Sequence, residues 1–168
     1  MSNLPKVAIV MGSDSDFPKL VPCIQILKKF GVQTEVRIIS AHRTPRDAEQ
    51  FASSAAENGV GVIIAAAGKA AHLGGVIAAY TTLPVIGVPI KSSTMDGLDS
   101  LLSMVQMPKG IPVATVAIDG ADNAGILAVQ MLALGYPELT EKLVAFKRDM
   151  EEGVREKDRA IAQEVVKL

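Results

Sequence analysis

Short runs rich in β-branched and small apolar residues alternate with amphipathic segments along the chain. Each run is too short for a buried helix, and most end at glycine or at a polar cluster. Such runs are typical of strands that are buried on both faces of a parallel sheet. The sequence therefore predicts five strands, at 6–11, 35–39, 60–67, 83–88 and 111–118.

The segments between these runs carry helix signals. The first helix begins near Asp16, which can cap it, and ends at Gly31. The second opens at Thr44 and extends to residue 58. A shorter helix starts near residue 70, and two more are predicted at 98–106 and 121–134. Strands that alternate with helices indicate an α/β fold, with one parallel sheet covered on both faces.

The final segment, 138–168, differs from the rest of the chain in composition. It is dense in charge, and its apolar residues recur at three- and four-residue spacing, namely Leu139, Leu143, Phe146, Met150 and Val154. This pattern predicts a long amphipathic helix. It either packs on its own domain or forms an arm that reaches a neighbouring subunit, and the pattern leaves both open. We expect residues 1–168 to form a single domain.

Composition and charge argue against several classes of partner and binding site. The net charge of −1 provides no general attraction for nucleic acid or for an acidic membrane surface. No apolar run reaches the roughly 20 residues that span a bilayer, and the first residues lack the pattern of a secretory signal. The single Cys23 cannot form an internal disulfide and is expected to be a buried thiol. We therefore expect a cytoplasmic protein without a zinc site.

Three polar loops follow the first three predicted strands, at 11–16, 40–45 and 67–75, and the first and third contain glycine. In an open parallel sheet, ligands bind beyond the carboxyl ends of the strands. Both histidines of the chain, His42 and His72, fall in these loops. We therefore expect the site at this edge of the sheet.

The first loop combines hydroxyls and carboxylates before a helix. Ser13 and Ser15 are placed to help hold a phosphate at the helix N-terminus, and Asp16 suits ribose hydroxyls. The alternative is that these residues only cap the helix. The glycine spacing matches neither the dinucleotide fingerprint nor the P-loop, which argues against a dinucleotide or ATP site.

The second and third loops supply a proton carrier and cations. His42 can exchange a proton near neutral pH, and the neighbouring Arg43 can bind phosphate or carboxylate. The alternative is a surface loop that merely starts a helix. Taken alone, His72 suits a structural role, and Lys69 either is solvated or touches an anion. The sequence lacks the motifs of serine hydrolases, HExxH zinc enzymes and CxxC proteins, so proton transfer and binding are the expected chemistry.

These loops resemble the PurE family, whose members interconvert carboxylated forms of 5-aminoimidazole ribonucleotide. The most specific match is Ser-Ala-His-Arg-Thr-Pro at 40–45, and the others lie at 11–16, 70–73, 99–108, 110–113 and 123–124. The resemblance spans nearly the whole chain. It implies a three-layer α/β/α sandwich of flavodoxin-like type and a homo-octamer in which the C-terminal helix contacts neighbours.

The resemblance also implies roles for individual residues. His42 corresponds to the catalytic histidine of the family, and Ser13, Asp16 and Arg43 to positions that bind the nucleotide substrate. Supporting contacts are implied for Ser15, Ser40, Gly68 and His72. No cofactor or metal is implied.

The family has two branches, of which one rearranges N5-carboxyaminoimidazole ribonucleotide and the other carboxylates aminoimidazole ribonucleotide directly with CO2. Arg43 and the Ala-Ala-His-Leu run at 70–73 favour the mutase branch. Lys69 and Gly74 depart from this branch, which often has Gly and Pro there. The direct carboxylase and a non-catalytic flavodoxin-like ligand-binding module are the alternatives.

Overall fold

A five-stranded parallel sheet forms the centre of the computed structural model, which describes residues 4–168. Its strands are β1 (Lys6–Met11), β2 (Thr34–Ile38), β3 (Val60–Gly68), β4 (Val85–Ile90) and β5 (Ala114–Thr115). They lie in the order β2-β1-β3-β4-β5, and every neighbouring pair is parallel. This is the strand order of flavodoxin-like folds, so the predicted fold class is confirmed.

Helices cover both faces of the sheet. They are α1 (Phe17–Phe30), α2 (Pro45–Ser54), α3 (Leu73–Tyr80), α4 (Leu98–Val105), α5 (Ala121–Ala133) and α6 (Pro137–Val165). Alternate residues of β1 belong to two separate cores. Val7 and Ile9 pack with α1 and α5, whereas Ala8 and Val10 pack with α2, α3 and α4. The molecule is therefore a three-layer α/β/α sandwich.

Both faces of the central strands are apolar because both faces are covered. All six residues of β4 are buried, and β3 is buried over most of its length. Cys23 lies on the buried face of α1, and burial raises the pKa of its thiol to about 12. The expectation of a buried thiol is confirmed.

Several predicted boundaries are wrong, among them those of β5, α2 and α3. β5 pairs with β4 only at Ala114–Thr115, and not over 111–118, because Pro112 has no N–H to donate and this is an edge strand. α2 ends at Ser54, since residues 55–58 form turns before Gly59 at a φ of 77°. α3 begins at Leu73 and not near residue 70.

The long helix α6 packs on its own domain only through its first part. Leu139 is fully buried, Phe146 meets Phe30 edge to face with ring centroids 5.6 Å apart, and Lys142 Nζ donates to Phe30 O at 2.7 Å. Beyond Met150, its apolar side chains are exposed, and Glu151, Glu152, Arg155 and Arg159 form ion pairs along the helix itself. Packing on its own domain therefore describes only the first part of this helix, and the arm that reaches a neighbouring subunit stays a prediction.

Within residues 4–168, no helix has both the length and the apolar character that crossing a bilayer requires.

Candidate active site

Four loops meet at the carboxyl edge of the sheet, where the strand order reverses between β1 and β3. They enclose an open cleft of about 480 Å³. Its lining comes from loop one (12–16, after β1), loop two (40–44, after β2), loop three (68–72, after β3) and loop four (91–97, after β4). The edge of a doubly wound sheet at which strand order reverses is the usual ligand site of such folds.

Loop one is a cluster of hydroxyls and carboxylates at the start of α1. The Ser13 hydroxyl accepts hydrogen bonds from Ser15 N at 3.3 Å and from Ser15 Oγ at 2.9 Å. Asp16 precedes the helix but makes no capping hydrogen bond with its side chain. The prediction that Asp16 caps α1 is therefore wrong, and its carboxylate faces the cleft instead.

The cleft changes the acidity of Asp16. Burial raises the pKa of this carboxyl above its ordinary value of 3.8, and the negative charges of Asp14 and Asp119 add to the effect. Hydrogen bonds with the Ser13 backbone and the Ser15 hydroxyl oppose the shift but do not cancel it. A half-buried carboxylate without a cation beside it is available to accept hydrogen bonds from a ligand.

Loop two is held in shape by its own side chains. Thr44 does not cap α2. Its hydroxyl instead accepts from Ser40 N at 3.0 Å and lies 3.2 Å from Ser40 O, which closes the loop on itself. Arg43 Nε donates to Ser40 Oγ at 3.3 Å and Nη2 donates to Gly12 O at 3.0 Å. Arg43 thereby ties loop two to loop one, and the Nη1 side of the guanidinium remains for an anion.

The two histidines touch each other. His42 Nε2 lies 2.9 Å from His72 Nδ1, and the rings stand nearly perpendicular, at 82°, with centroids 5.1 Å apart. In a hydrogen bond between two ring nitrogens, one nitrogen carries the proton and the other supplies the lone pair, so the tautomer of each ring depends on that of the other. Both side chains are exposed, and His42 is the one of the two that lines the cleft.

Loop three turns sharply as it leaves β3. Ala71 N donates to Lys69 O at 2.8 Å, and His72 N donates to Ala70 O at 2.9 Å. Lys69 has a φ of 56°, in the left-handed region. These successive tight turns delay the start of α3 to Leu73 and bring His72 over to loop two.

Loop four was missed by the sequence analysis. Lys91, Ser92 and Ser93 line the cleft. Lys91 N donates to the carboxylate of Asp119 at 3.0 Å, and the Ser92 hydroxyl lies 3.3 Å from Asp99 Oδ2. The signal was present, since this polar run follows a buried strand just as the other three loops do.

The structure brings the predicted residues together. Those that line the cleft are Ser13, Ser15, Asp16, Ser40, His42, Arg43 and Gly68. His72 does not line the cleft and reaches it only through its contact with His42. Among residues 4–168, no three His, Cys, Asp or Glu side chains converge as a metal-binding group would require.

Known proteins match the chain over most of its length. The family model described as AIR carboxylase matches residues 6–153. The N5-carboxyaminoimidazole ribonucleotide mutase of Pyrococcus horikoshii is 57% identical over 162 residues, which cover 96% of this chain and 92% of that one. The protein of the same name from Thermotoga maritima is 53% identical, with 95% and 94% covered.

A solved structure agrees with the fold. The crystal structure of Treponema denticola PurE superposes with a TM-score of 0.82 at 27% identity and covers 92% of this chain and 96% of that one. The family match spans far more than half of the chain, and the relatives are far more similar than chance allows. The chain therefore belongs to the AIR carboxylase (PurE) family.

Proposed function

We propose that this protein is an N5-carboxyaminoimidazole ribonucleotide mutase. It moves a carboxylate from the exocyclic nitrogen of the substrate to ring carbon C4 within purine biosynthesis. Relatives that carry this name are 57% and 53% identical to the chain and align with almost all of it. The enzyme is an isomerase, and its substrate is a small nucleotide.

The observation that carries the proposal is the position of His42. Its ring lies in the cleft beside Arg43, which bonds to loop one, and it touches His72 from loop three. An imidazole that can exchange protons thus sits next to a cluster of hydroxyls and a cation. This combination suits a phosphorylated heterocycle whose chemistry consists of proton transfers.

The binding roles follow from the chemistry of each side chain. Ser13, Ser15 and Arg43 hold the phosphate near the start of α1, where free N–H groups favour an anion. Asp16 accepts hydrogen bonds from the ribose hydroxyls. Ser40 holds Arg43 in place. Gly68 lets the heterocycle approach the backbone of loop three, and His72 supports His42.

The reaction needs one proton carrier. Protonated His42 gives its proton to the exocyclic nitrogen, the C–N bond breaks, and CO2 and the free amine form. The ring carbon C4 then attacks CO2 to form the new C–C bond. His42 takes the proton that C4 loses and is thereby restored. Holding CO2 beside the ring removes the entropic cost of a second encounter.

The contact between the histidines serves this cycle. His42 must act first as an acid and then as a base, so a partner that can accept or donate a hydrogen bond stabilises both forms. His72 Nδ1 can do either, because its other nitrogen takes the complementary protonation state. General acid–base catalysis by one positioned residue is commonly worth about 10²–10⁴ in rate.

We further propose a cytoplasmic homo-octamer built from single-domain chains. Residues 1–168 form one domain with a single sheet, and 138–168 serve as its helical arm. The exposed apolar side chains in the second half of α6 support contacts with neighbouring subunits. Neither nucleic acid nor a membrane is expected as a partner.

The first test replaces His42 by asparagine. His42→Asn should reduce turnover of N5-carboxyaminoimidazole ribonucleotide by at least about 10². Nucleotide affinity should remain within a few-fold of wild type, since Ser13 and Arg43 are untouched. A spectroscopic assay without ATP, metal or biotin measures turnover, and calorimetry measures binding. Lost binding with retained turnover would refute the role of His42.

A second experiment distinguishes mutase activity from direct carboxylation. The wild-type enzyme receives either N5-carboxyaminoimidazole ribonucleotide or aminoimidazole ribonucleotide with bicarbonate. The mutase should convert the first much faster than the second at equal concentrations. The reverse order would assign the chain to direct carboxylation. Loss of activity in EDTA would contradict the metal-free mechanism.

A further inference from the structure

Lys69 has an unfavourable backbone conformation. Its φ of 56° lies in the left-handed region, which is unfavourable for a side chain other than glycine, asparagine or aspartate. The bond from Ala71 N to Lys69 O, at 2.8 Å, holds the residue in this turn. The lysine side chain is exposed, so its packing in the core gives no compensation.

The charge of Lys69 also has no internal partner. Among the described residues, no carboxylate lies within ion-pair distance of its ammonium group. The other lysine of the cleft, Lys91, is paired with Asp96 at 3.2 Å. Of the two lysines that line the cleft, only Lys91 has its charge met by a carboxylate among the described residues.

An unpaired cation on a strained backbone in a ligand cleft is typical of a binding contact. Strained residues are kept where function uses them, because elsewhere a glycine would relieve the strain. The anionic groups of the substrate are its phosphate and its carboxylate, and a lysine ammonium binds either as a compact point charge. Loop three also carries His72, which contacts His42, so Lys69 lies within the reacting region.

We propose that Lys69 binds an anionic group of the nucleotide substrate and so contributes to affinity in this cleft. This inference rests on the proposed function. It adds a binding residue that the resemblance did not supply, from a position where this chain carries lysine. Arg43 ties loop two to loop one, and Lys69 lines the same cleft from loop three.

The test uses two substitutions and a matched control. Lys69→Gln removes the charge and keeps a long side chain, and Lys69→Gly removes the charge and relieves the strain. Lys109→Gln is the control, since Lys109 is exposed and lies in the loop that leads into β5, outside the cleft. Calorimetric titrations measure affinity for aminoimidazole ribonucleotide, which has only the phosphate, and for its C4-carboxylated product, which has both anions.

Both Lys69 variants should bind the carboxylated product about tenfold more weakly than wild type, and Lys109→Gln should bind it as wild type does. An equal loss for both nucleotides assigns the contact to the phosphate, and a loss for the product alone assigns it to the carboxylate. Affinities within twofold of wild type for both nucleotides would overturn the inference. The midpoint of urea unfolding of Lys69→Gly should not fall below that of wild type, so weaker binding cannot come from misfolding.

The binding test of Lys69 and the mutase assay can fail independently of each other. Binding titrations need no turnover, so Lys69 is judged even if the wild-type enzyme fails the mutase assay. Conversely, an active wild type with unaffected Lys69 variants would leave the mutase assignment standing and remove only this contact.

Discussion

The ionised carboxylate of Asp16 lowers the stability of the folded protein at a position that lines the cleft. Its carboxylate is half-buried in the cleft, near two other acids and without a cation beside it. Burial and these neighbours raise its pKa, so ionising it costs more in the folded protein than in the unfolded chain. Under the proposed function, this cost is offset because the carboxylate accepts hydrogen bonds from the ribose of the substrate.

The pH dependence of this effect has a definite sign. Because the folded pKa of Asp16 is raised above 3.8, the folded state binds more protons, and stability falls as pH rises through the window above 3.8. Asp16→Asn has no such loss. Urea unfolding should therefore give the variant a higher free energy of unfolding relative to wild type at pH 7 than at pH 4. Its KM should rise several-fold at pH 7.

A difference between the proteins that did not change between pH 4 and pH 7 would contradict this account. A variant that binds nucleotide as tightly as wild type would remove Asp16 from the site while leaving its pKa shift intact.

The residues of the candidate site could be predicted from the sequence only in part. The hydroxyls, His42 and Arg43 could be recognised because polar residues after buried strands point to the ligand edge. The partner of His42 could not, since His72 is 30 residues away and reaches it only through the turns of loop three. Loop four was overlooked because it contains no histidine, although it is also a polar run directly after a buried strand.

At the scale of elements, Asp119 joins three parts of the fold around the cleft. Its carboxylate accepts from Lys19 of α1 at 2.6 Å and from the backbone of Lys91 after β4 at 3.0 Å, while the residue itself precedes α5. Burial alone would raise its pKa, but the hydrogen bond from Lys19 and the other cationic contacts prevail and lower it below 3.8.

Asp119→Asn should destabilise the protein by about 1 kcal/mol at pH 7, since it removes a charge-assisted bond that is partly exposed. Asparagine tolerates the left-handed φ of 56° here, so the backbone is expected to persist. The folded pKa is lowered, so the stabilisation is present above 3.8 and lost as pH falls through the folded value. The difference in free energy of unfolding between wild type and Asp119→Asn, called the gap below, should therefore disappear in acid.

Urea unfolding at pH 7 and in acid measures this gap. Asp122→Asn is a suitable control, because Asp122 is exposed at the start of α5 and forms no ion pair among the described residues. A gap for Asp119→Asn that stayed constant in acid would show that its effect comes from the turn and not from the charge.

At the scale of the whole molecule, the second half of α6 is the feature that one chain does not explain. Val154 is 66% exposed, Ile161 59% and Val165 62%, and no residue beyond Leu139 in this helix is fully covered. At 1.5 Å per residue, the 29-residue helix is about 43 Å long. Its outer half carries exposed apolar side chains, which suit the subunit contacts of the proposed octamer.

Replacing Val154 and Ile161 together by serine should reduce the mass of the assembly measured by light scattering, because apolar contacts between subunits are lost. The circular dichroism of the helices and the folding of each chain should change little, since neither side chain is packed against its own core. Lys157→Ser on the same half of the helix is the control. An unchanged mass in the double variant would show that these residues are not in the interface.

The sequence by itself determined the fold class and the edge that carries the site. Runs such as 60–67 are apolar on both faces only if helices cover both, and the polar loops that follow them end at the same edge because parallel strands share a direction. Strand order, the meeting of His42 with His72, and the strain at Lys69 were decided by tertiary structure. These depend on distances between segments far apart in the chain, which local patterns of polarity do not contain.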